Sequence, residues 1–197
     1  MNSANTIETD STGFLEAPAP SAAVQRMYDN DIERLGFVMN LSSLWGHHPA
    51  LHAGLSDLID QAAGAGRLTL RQRAILVTSC ASALGDSYCS LAWGRKLARE
   101  AGAHIAADVL RGADDRLDPA EQALARWART MTRQPSSTEA KDLQPLRDAG
   151  YDDAQIFAIT VFVALRLAFA FVNDALGARP DAELFAIAPA AVCDAVT

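Results

Sequence analysis

Cysteine is scarce in this sequence of 197 residues. The three cysteines, Cys80, Cys89 and Cys193, are too few and too far apart for a disulfide framework, which favours a reducing compartment. The first ten residues lack the positive charge and the apolar run of a signal peptide, so we expect a cytoplasmic protein. A basic surplus is also missing, because 24 Asp and Glu outnumber 17 Lys and Arg; the formal charge of −7 argues against a nucleic-acid binder.

The motifs of several common active sites are absent as well. The sequence has no glycine-rich phosphate loop, no Gly-x-Ser-x-Gly nucleophile elbow and no Cys-x-x-Cys zinc pair. His48 and His52 have the i, i+4 spacing of metal ligands on a helix, but no Glu or Cys stands close in sequence to complete a site. We therefore expect neither a metal nor a cofactor.

Strand patterns are missing too, and this absence sets the fold class. No segment alternates convincingly between polar and apolar residues, alanine is abundant, and β-branched residues are comparatively few, which predicts an all-α protein. Two elements stand out: a helical hairpin at about residues 70–101 and a long apolar helix at about 153–176. The apolar run of the second carries Arg166 and is shorter than the ~20 residues that a bilayer needs, so we expect a buried or interface helix and no membrane span.

The remaining residues predict one domain with two extensions. Residues 1–20 are mostly Ser, Thr, Ala, Pro and acidic residues, as in a disordered N-terminal arm. Residues 21–190 form the single helical domain, and residues 191–197 form a tail. Within the domain, a helix opening at 136–139 is expected to run to Gly150, with Pro145 as an interruption.

The most informative chemical feature is Cys89. If Asp86 is the N-cap of its helix, Cys89 lies in the first turn, where free backbone N–H groups and the helix dipole stabilise a thiolate. The Asp86 carboxylate opposes this effect, whereas Arg95 and Lys96 add positive potential two turns along. A buried, unreactive thiol is the alternative interpretation, and Cys80 on the preceding helix is able to approach Cys89.

Arg166 lies within the apolar helix and has three interpretations. It pairs with a buried acid such as Asp174, extends its charge to a surface, or binds a small carboxylate.

Several segments together resemble the carboxymuconolactone decarboxylase family, which includes the AhpD alkylhydroperoxidases. Residues 68–73 (LTLRQR) match the start of that family's core hairpin, and Tyr88-Cys89 match part of its Cys-x-Tyr/His-Cys motif. Arg95-Lys96, followed by Ala101-Gly102, resembles the end of the helix, while segments 35–41, 48–51 and 171–177 are similar to the peroxidase-related branch. The resemblance covers most of residues 25–185 and implies an AhpD-like helical bundle that assembles as a trimer or hexamer.

The departures from that pattern concern its chemistry. Ala74 stands at the family's glutamate, Asp86 at its first cysteine and Trp93 at its histidine, so Cys89 remains without the usual acid–base partners. The resemblance places the ancestral pocket around these four residues and Tyr88. It implies a thiol-dependent hydroperoxide reductase that uses Cys89 with an external thiol, or with Cys80 as a substitute resolving residue.

Two other functions remain open. The first is a non-redox lyase or isomerase acting on a small carboxylate or lactone, with Tyr88 or Asp86 as proton shuttle. Its substrate carboxylate would be bound by cationic side chains, for which the candidates are Arg71, Arg73, Arg95 and Arg166. The second is an oligomeric binding protein that has kept the fold and lost catalysis. None of the three functions involves nucleic acid or a membrane.

Overall fold

The computed structural model describes residues 13–196, and within this range the chain forms eleven α-helices and no β-strand. The predicted all-α class is confirmed. In chain order the helices are α1 (Ala22–Leu35), α2 (Asn40–Trp45), α3 (Pro49–Ala65), α4 (Leu70–Leu84), α5 (Ser87–Ala101), α6 (Ala103–Arg111), α7 (Pro119–Arg133), α8 (Gln144–Asp148), α9 (Asp153–Ala175), α10 (Ala182–Ile187) and α11 (Ala190–Val196).

Capping residues explain where the helices of the central hairpin begin and end. The Thr69 side chain accepts the Gln72 N–H at 3.2 Å, and the Gln72 side chain accepts the Thr69 N–H at 3.0 Å, which forms a capping box at the start of α4. Gly85 ends α4 with a left-handed φ of 87°, a conformation that glycine adopts without strain. Asp86 then caps α5, so the hairpin turns within two residues.

The region between α7 and α9 differs from the expected single helix. Two short 3₁₀ segments, Pro135–Ser137 and Ala140–Leu143, precede the short helix α8. Pro145 has no N–H and is tolerated only in the first turn of a helix, so a new helix starts beside it at Gln144.

The two ends of the described chain pack against the bundle. The predicted arm falls mainly on residues 1–12, which lie outside the described range; in residues 13–20, the Phe14 N–H donates to the Leu176 carbonyl at 2.8 Å and Pro18 is buried. The predicted tail is wrong for residues up to 196, because they form α11. Val192 on this helix is fully buried, since the absence of a side chain at Gly94 lets α11 approach α5 closely.

Helix α9 lies along one side of the core and packs mainly on α3. Ile159, Phe162 and Val163 on its inner side are buried, whereas Phe157 and Phe171 on its outer side are 71% and 53% exposed. Among the described helices it alone has the length and apolarity needed to cross a membrane, and 44% of its most apolar window is buried inside the fold. One side of α9 therefore packs into the core, and the other side is apolar and exposed.

Candidate functional site

A cavity of about 460 Å³ lies along α5, from Tyr88 near its start to Arg99 near its end. Helices α1, α3, α5 and α9 supply most of its wall, which includes Cys89, Trp93, Arg166 and Phe169. The hairpin and the long apolar helix, the two elements singled out in the sequence, thus meet at one site.

The start of α5 fixes the position of the Cys89 thiol. Asp86 is the N-cap, and its Oδ1 accepts the Cys89 N–H at 2.9 Å, so Cys89 occupies the third position of the first turn. The residue is only 3% exposed. Asp86 is completely buried, and its second carboxylate oxygen has no hydrogen-bond partner among the described residues.

Three influences act on the ionisation of Cys89. Burial raises the pKa of its thiol well above the usual value and is the largest of them. Arg166 acts in the opposite direction, with its Nη2 at 3.8 Å from the sulfur, while the Asp86 carboxylate raises the pKa further. The resting thiol is therefore protonated at neutral pH, and any reaction that uses the thiolate must first remove this proton.

Arg166 is held by aromatic rings and the thiol. Its guanidinium carbon lies 4.9 Å from the ring centroid of Trp93 and 5.0 Å from that of Phe169. The proposed partner Asp174 forms no ion pair with it within 4.0 Å, and the Arg166 Nε is buried without a partner in the described part of the chain. Of its three interpretations, pairing with Asp174 is therefore wrong.

Trp93 stands where the family resemblance expects a histidine. The Lys96 Nζ lies 3.9 Å from the centroid of its ring, which holds the ammonium group at the cavity. Burial, followed by the positive charges of Arg166, Arg34 and Arg95, lowers the pKa of Lys96 to about 8. A group that titrates near neutral pH therefore lies two helical turns from Cys89, although it is not the histidine of the family motif.

Arg71 and Arg73, predicted as anion-binding candidates, are not part of this cavity. The Arg71 Nη2 donates to the Glu121 carboxylate at 2.9 Å, and its Nη1 donates to the Glu100 carbonyl at 3.2 Å. The Arg73 Nε donates to the Leu68 carbonyl at 3.1 Å. Both side chains already have partners within the fold, because Arg71 is directed towards α7 and Arg73 towards Leu68 and towards Asp60 on α3.

The other candidate residues are mostly structural. The Tyr88 hydroxyl donates to the Asp181 carboxylate, and burial followed by the Asp181 charge raises its pKa, so it does not act as a proton shuttle. Ala74 is fully buried in the core. Cys80 is 2% exposed on α4, its thiol donates to the Val77 carbonyl at 3.4 Å, and burial raises its pKa to about 12.

The His52 ring on α3 forms part of the cavity wall. Its ring centroid lies 5.6 Å from that of Trp45 and 6.1 Å from that of Phe169, and burial lowers its pKa. Residues 13–196 contain no group of three His, Cys, Asp or Glu side chains arranged to hold a metal ion.

Sequence reasoning missed Arg34 and Arg99, and it noted Lys96 only as a source of positive potential. All three line the cavity. The i, i+4 spacing of Arg95 and Arg99 places them on one face of α5 with Lys96 nearby, a signal that was available in the sequence. The approach of Arg34 was not, because it depends on how α1 packs on the bundle.

Comparisons with known proteins show the fold and leave the chemistry open. No family model and no curated protein sequence matches the chain. A peroxidase-related protein from Ralstonia eutropha JMP134, described as an alkylhydroperoxidase AhpD core, is similar at 21% identity with a TM-score of 0.73, covering 88% of this chain and 95% of that one. An uncharacterised peroxidase-related protein from Silicibacter sp. TM1040 gives 19% and 0.79, covering 91% and 97%.

A third similar structure is the debrominase Bmp8, solved as a cysteine-to-alanine variant in complex with 2,3,4-tribromopyrrole. It shares 17% identity and a TM-score of 0.74, covering 95% of this chain and all of that one. The chain therefore has the AhpD-like helical fold, as the sequence predicted, and proteins of this fold differ in what they act on.

Proposed function

We propose that the chain is a member of the AhpD-like family that reduces small hydroperoxides through Cys89, with an external thiol as reductant. The observation that carries the proposal is the position of the Cys89 sulfur: it lines the 460 Å³ cavity in the first turn of α5, with the Arg166 Nη2 at 3.8 Å. Arg166 and the helix N-terminus both stabilise negative charge at this point.

The reaction begins with loss of the Cys89 proton to solvent. The thiolate attacks one peroxide oxygen, the O–O bond breaks, and the alkoxide leaves and takes up a proton, which yields an alcohol and a sulfenic acid on Cys89. Arg166 stabilises first the thiolate and then the departing alkoxide.

The return to the thiol uses two equivalents of an external thiol. The first condenses with the sulfenic acid, which releases water and forms a mixed disulfide; the second cleaves this disulfide and restores Cys89. Asp86 stands where the family resemblance expects the resolving cysteine, so the local disulfide of the two-cysteine enzymes does not form.

Asp86 also sets the speed of the first step. Its carboxylate and burial both keep Cys89 protonated, so the reaction rate is expected to be low at pH 7 and to keep rising beyond pH 9. The variant Asp86→Asn retains a good N-cap and removes the negative charge. We expect it to speed alkylation of Cys89 at pH 7 by about tenfold, the effect of lowering a pKa by one unit. An unchanged rate would show that Asp86 does not control this thiol.

Trapping of the sulfenic acid with dimedone after peroxide treatment tests the function directly. The wild type should be labelled at Cys89 and should consume peroxide when an external thiol is supplied, whereas Cys89→Ala should do neither. Cys193→Ala is the matched control and should retain both activities.

Cys80→Ala tests the source of the second thiol and should also leave turnover intact. If the Cys80→Ala variant still forms the sulfenic acid but no longer consumes peroxide catalytically, then Cys80 is the resolving residue. In that case the external thiol does not react directly with the sulfenic acid. Absence of labelling in the wild type would refute the peroxidase proposal.

Reductive debromination is a second candidate, supported by the fold shared with Bmp8 and by the aromatic walls that Trp93 and Phe169 give the cavity. In this reaction a carbon–bromine bond and two thiols become a carbon–hydrogen bond, bromide, a proton and a disulfide. Bromide release from 2,3,4-tribromopyrrole in the presence of a thiol, without peroxide consumption, would favour it over the first proposal. The lyase hypothesis has no such support, because the Tyr88 hydroxyl donates to Asp181, and Asp86, the other proposed proton shuttle, is completely buried and does not line the cavity.

We propose in addition that the chain associates with itself through the outer side of α9. Phe157, Ala164 and Phe171 on that side are exposed and spaced by seven residues, so a second, antiparallel copy would place each phenylalanine against the other about Ala164. If this contact contributes to the expected trimer or hexamer, a paired Phe157→Glu and Phe171→Glu variant should form a smaller assembly than the wild type by light scattering. A monomeric wild type would refute this association.

A further inference from the structure

The cavity beside Cys89 concentrates positive charge in a chain with a formal charge of −7. Five cationic side chains line it: Arg34, Arg95, Lys96, Arg99 and Arg166. Among the described residues, Asp31 is the one carboxylate in this lining, and its Oδ2 already accepts the Met39 N–H at 3.0 Å. The cations in the lining therefore outnumber the one carboxylate by five to one.

These cations also lack carboxylate partners. None of the five takes part in the ion pairs within 4.0 Å that residues 13–196 form. Arg95 is only 6% exposed, and its Nε is buried without a hydrogen-bond partner, as is the Nε of Arg166. Burial of an unpaired cation costs free energy, which an anion entering the cavity would recover.

We propose that this cavity binds a small organic molecule with at least two negatively charged oxygen groups, and that this molecule is the substrate brought to Cys89. The inference deepens the proposed function by naming its substrate class, and it rests on that function only for the role of substrate. The binding site itself requires no thiol chemistry.

The arrangement of the cations indicates how such a molecule is recognised. Arg95 is buried in the wall and Arg166 is half-buried, whereas Arg34 and Arg99 are exposed. We expect one oxyanion group to meet the guanidinium groups of Arg95 and Arg166 and a second to meet the exposed ones, since guanidinium matches the planar oxygens of carboxylate and phosphate. The volume of about 460 Å³ lies within the range typical of small-molecule sites.

A second groove with several arginines shows why charge number alone is not sufficient. Arg126, Arg129 and Arg133 line a space of about 410 Å³ next to Asp114. The Arg129 guanidinium is already satisfied there, because its Nη2 donates to Asp114 at 3.0 Å and to the Val109 carbonyl at 2.7 Å. The groove therefore lacks the unpaired buried cation that distinguishes the cavity beside Cys89.

Binding of an anion should be linked to protonation of Lys96. The charged and titratable groups that share the cavity with Lys96 are Arg34 and Asp31 from α1, His52 from α3, Tyr88, Cys89, Arg95 and Arg99 from its own helix, and Arg166 from α9. A bound anion offsets the cations and raises the pKa of Lys96 from about 8, so the protein takes up protons on binding. Affinity should fall as the pH rises above 8.

Calorimetry on the Cys89→Ala variant tests the site without any thiol reaction. The first probes are succinate, its monoamide succinamate and its diamide succinamide, which share one shape and carry two, one and no negative charges. Pyrophosphate tests whether the site prefers phosphate groups to carboxylates. We expect succinate or pyrophosphate to bind at least tenfold more tightly than succinamate, and succinamide not to bind. Equal binding of the three succinyl probes, or no binding of any probe, would overturn the proposal.

Variants of single cations locate the site. Arg95→Met in the Cys89→Ala background should weaken binding of the dianion at least tenfold, whereas Arg126→Met, which removes an arginine from the second groove, should leave it unchanged. The opposite result would place the site in the second groove and overturn the assignment. If binding takes up protons at pH 8.5, the measured binding enthalpy of the dianion will depend on the ionisation enthalpy of the buffer. Lys96→Gln should abolish this dependence.

Turnover separates this inference from the proposed function. Wild-type protein is given an alkyl hydroperoxide that carries two carboxylates and, in parallel, its dimethyl ester, each with an external thiol. Preference for the dicarboxylate supports both proposals. Equal turnover refutes the anionic substrate and leaves the peroxidase intact, while binding of dianions without any turnover refutes the peroxidase and the substrate role but leaves the binding site standing.

Discussion

Two groups of arginines in this protein have opposite surroundings. Arg71 donates to Glu121 where α4 packs on α7, and Arg129 on α7 donates to Asp114 in the loop after α6, so each cation lies against a carboxylate. In the cavity beside Cys89, Arg95 and Arg166 have no carboxylate partner within the described chain, although Arg95 is as deeply buried as Arg129. The paired arginines join segments of the fold, whereas the unpaired arginines have guanidinium groups that are available to an anionic ligand.

The comparison gives a physical criterion for function that composition does not provide. A buried ion pair contributes to a particular packing of the fold, and its loss leaves one charge exposed to a medium of low polarity. A buried unpaired cation lowers stability in the absence of ligand, and such a cost is typical of functional sites. The two groups should therefore respond in opposite ways to the same substitution.

Replacement of Arg129 should have the largest effect on stability. Arg129→Met removes the partner of Asp114 and the donor to the Val109 carbonyl, so we expect the free energy of unfolding in urea to fall by about 3 kcal/mol. The double variant Arg129→Met, Asp114→Asn should lose less, because no uncompensated carboxylate remains. Equal losses in the single and double variants would show that the pair itself is unimportant.

Replacement of Arg95 should have a smaller effect of the opposite sign. Arg95→Met retains the aliphatic part of the side chain and removes an unpaired charge that is 6% exposed. We expect the free energy of unfolding to rise by about 1 kcal/mol, at the low end of what replacing buried charge by apolar groups gives. A clear loss of stability would mean that Arg95 has a partner within the fold, and the contrast with Arg129 would disappear.

The pH dependence of stability tests the same contrast without changing an arginine. The pKa of Lys96 is lowered from 10.5 to about 8 in the folded state, so between these values the unfolded chain binds the proton and the folded chain does not. The contribution of Lys96 to stability therefore rises with pH from about 8 to 10.5. Lys96→Met should remove this rise relative to wild type, and identical pH profiles for the two proteins would contradict the burial of this cation.

The helices around the site could be predicted from local sequence signals. Asp86 and Gly102 bracket α5, and Thr69 with Gln72 starts α4, because capping depends on residues close in sequence. The position of Cys89 in the first turn of α5 follows from the same signals. The family resemblance added the bundle and the expected location of the pocket.

The composition of the site could not be predicted to the same extent. Arg71 was expected near the ligand, but its partner Glu121 lies fifty residues further along the chain and becomes a neighbour only when α7 packs on α4. Arg34 reaches the cavity through the packing of α1. Local patterns indicate the face of a helix on which a side chain lies, but they do not reveal which distant residue meets it.

Asp86 has a consequence for the introduction of a second thiol beside Cys89. Its carboxylate caps α5 through the Cys89 N–H, so the substitution Asp86→Cys would supply that thiol and remove the cap in one step, at a cost of about 1 kcal/mol. The same substitution would remove the negative charge that raises the pKa of Cys89. Stability and thiol reactivity would therefore change in opposite directions at this one position.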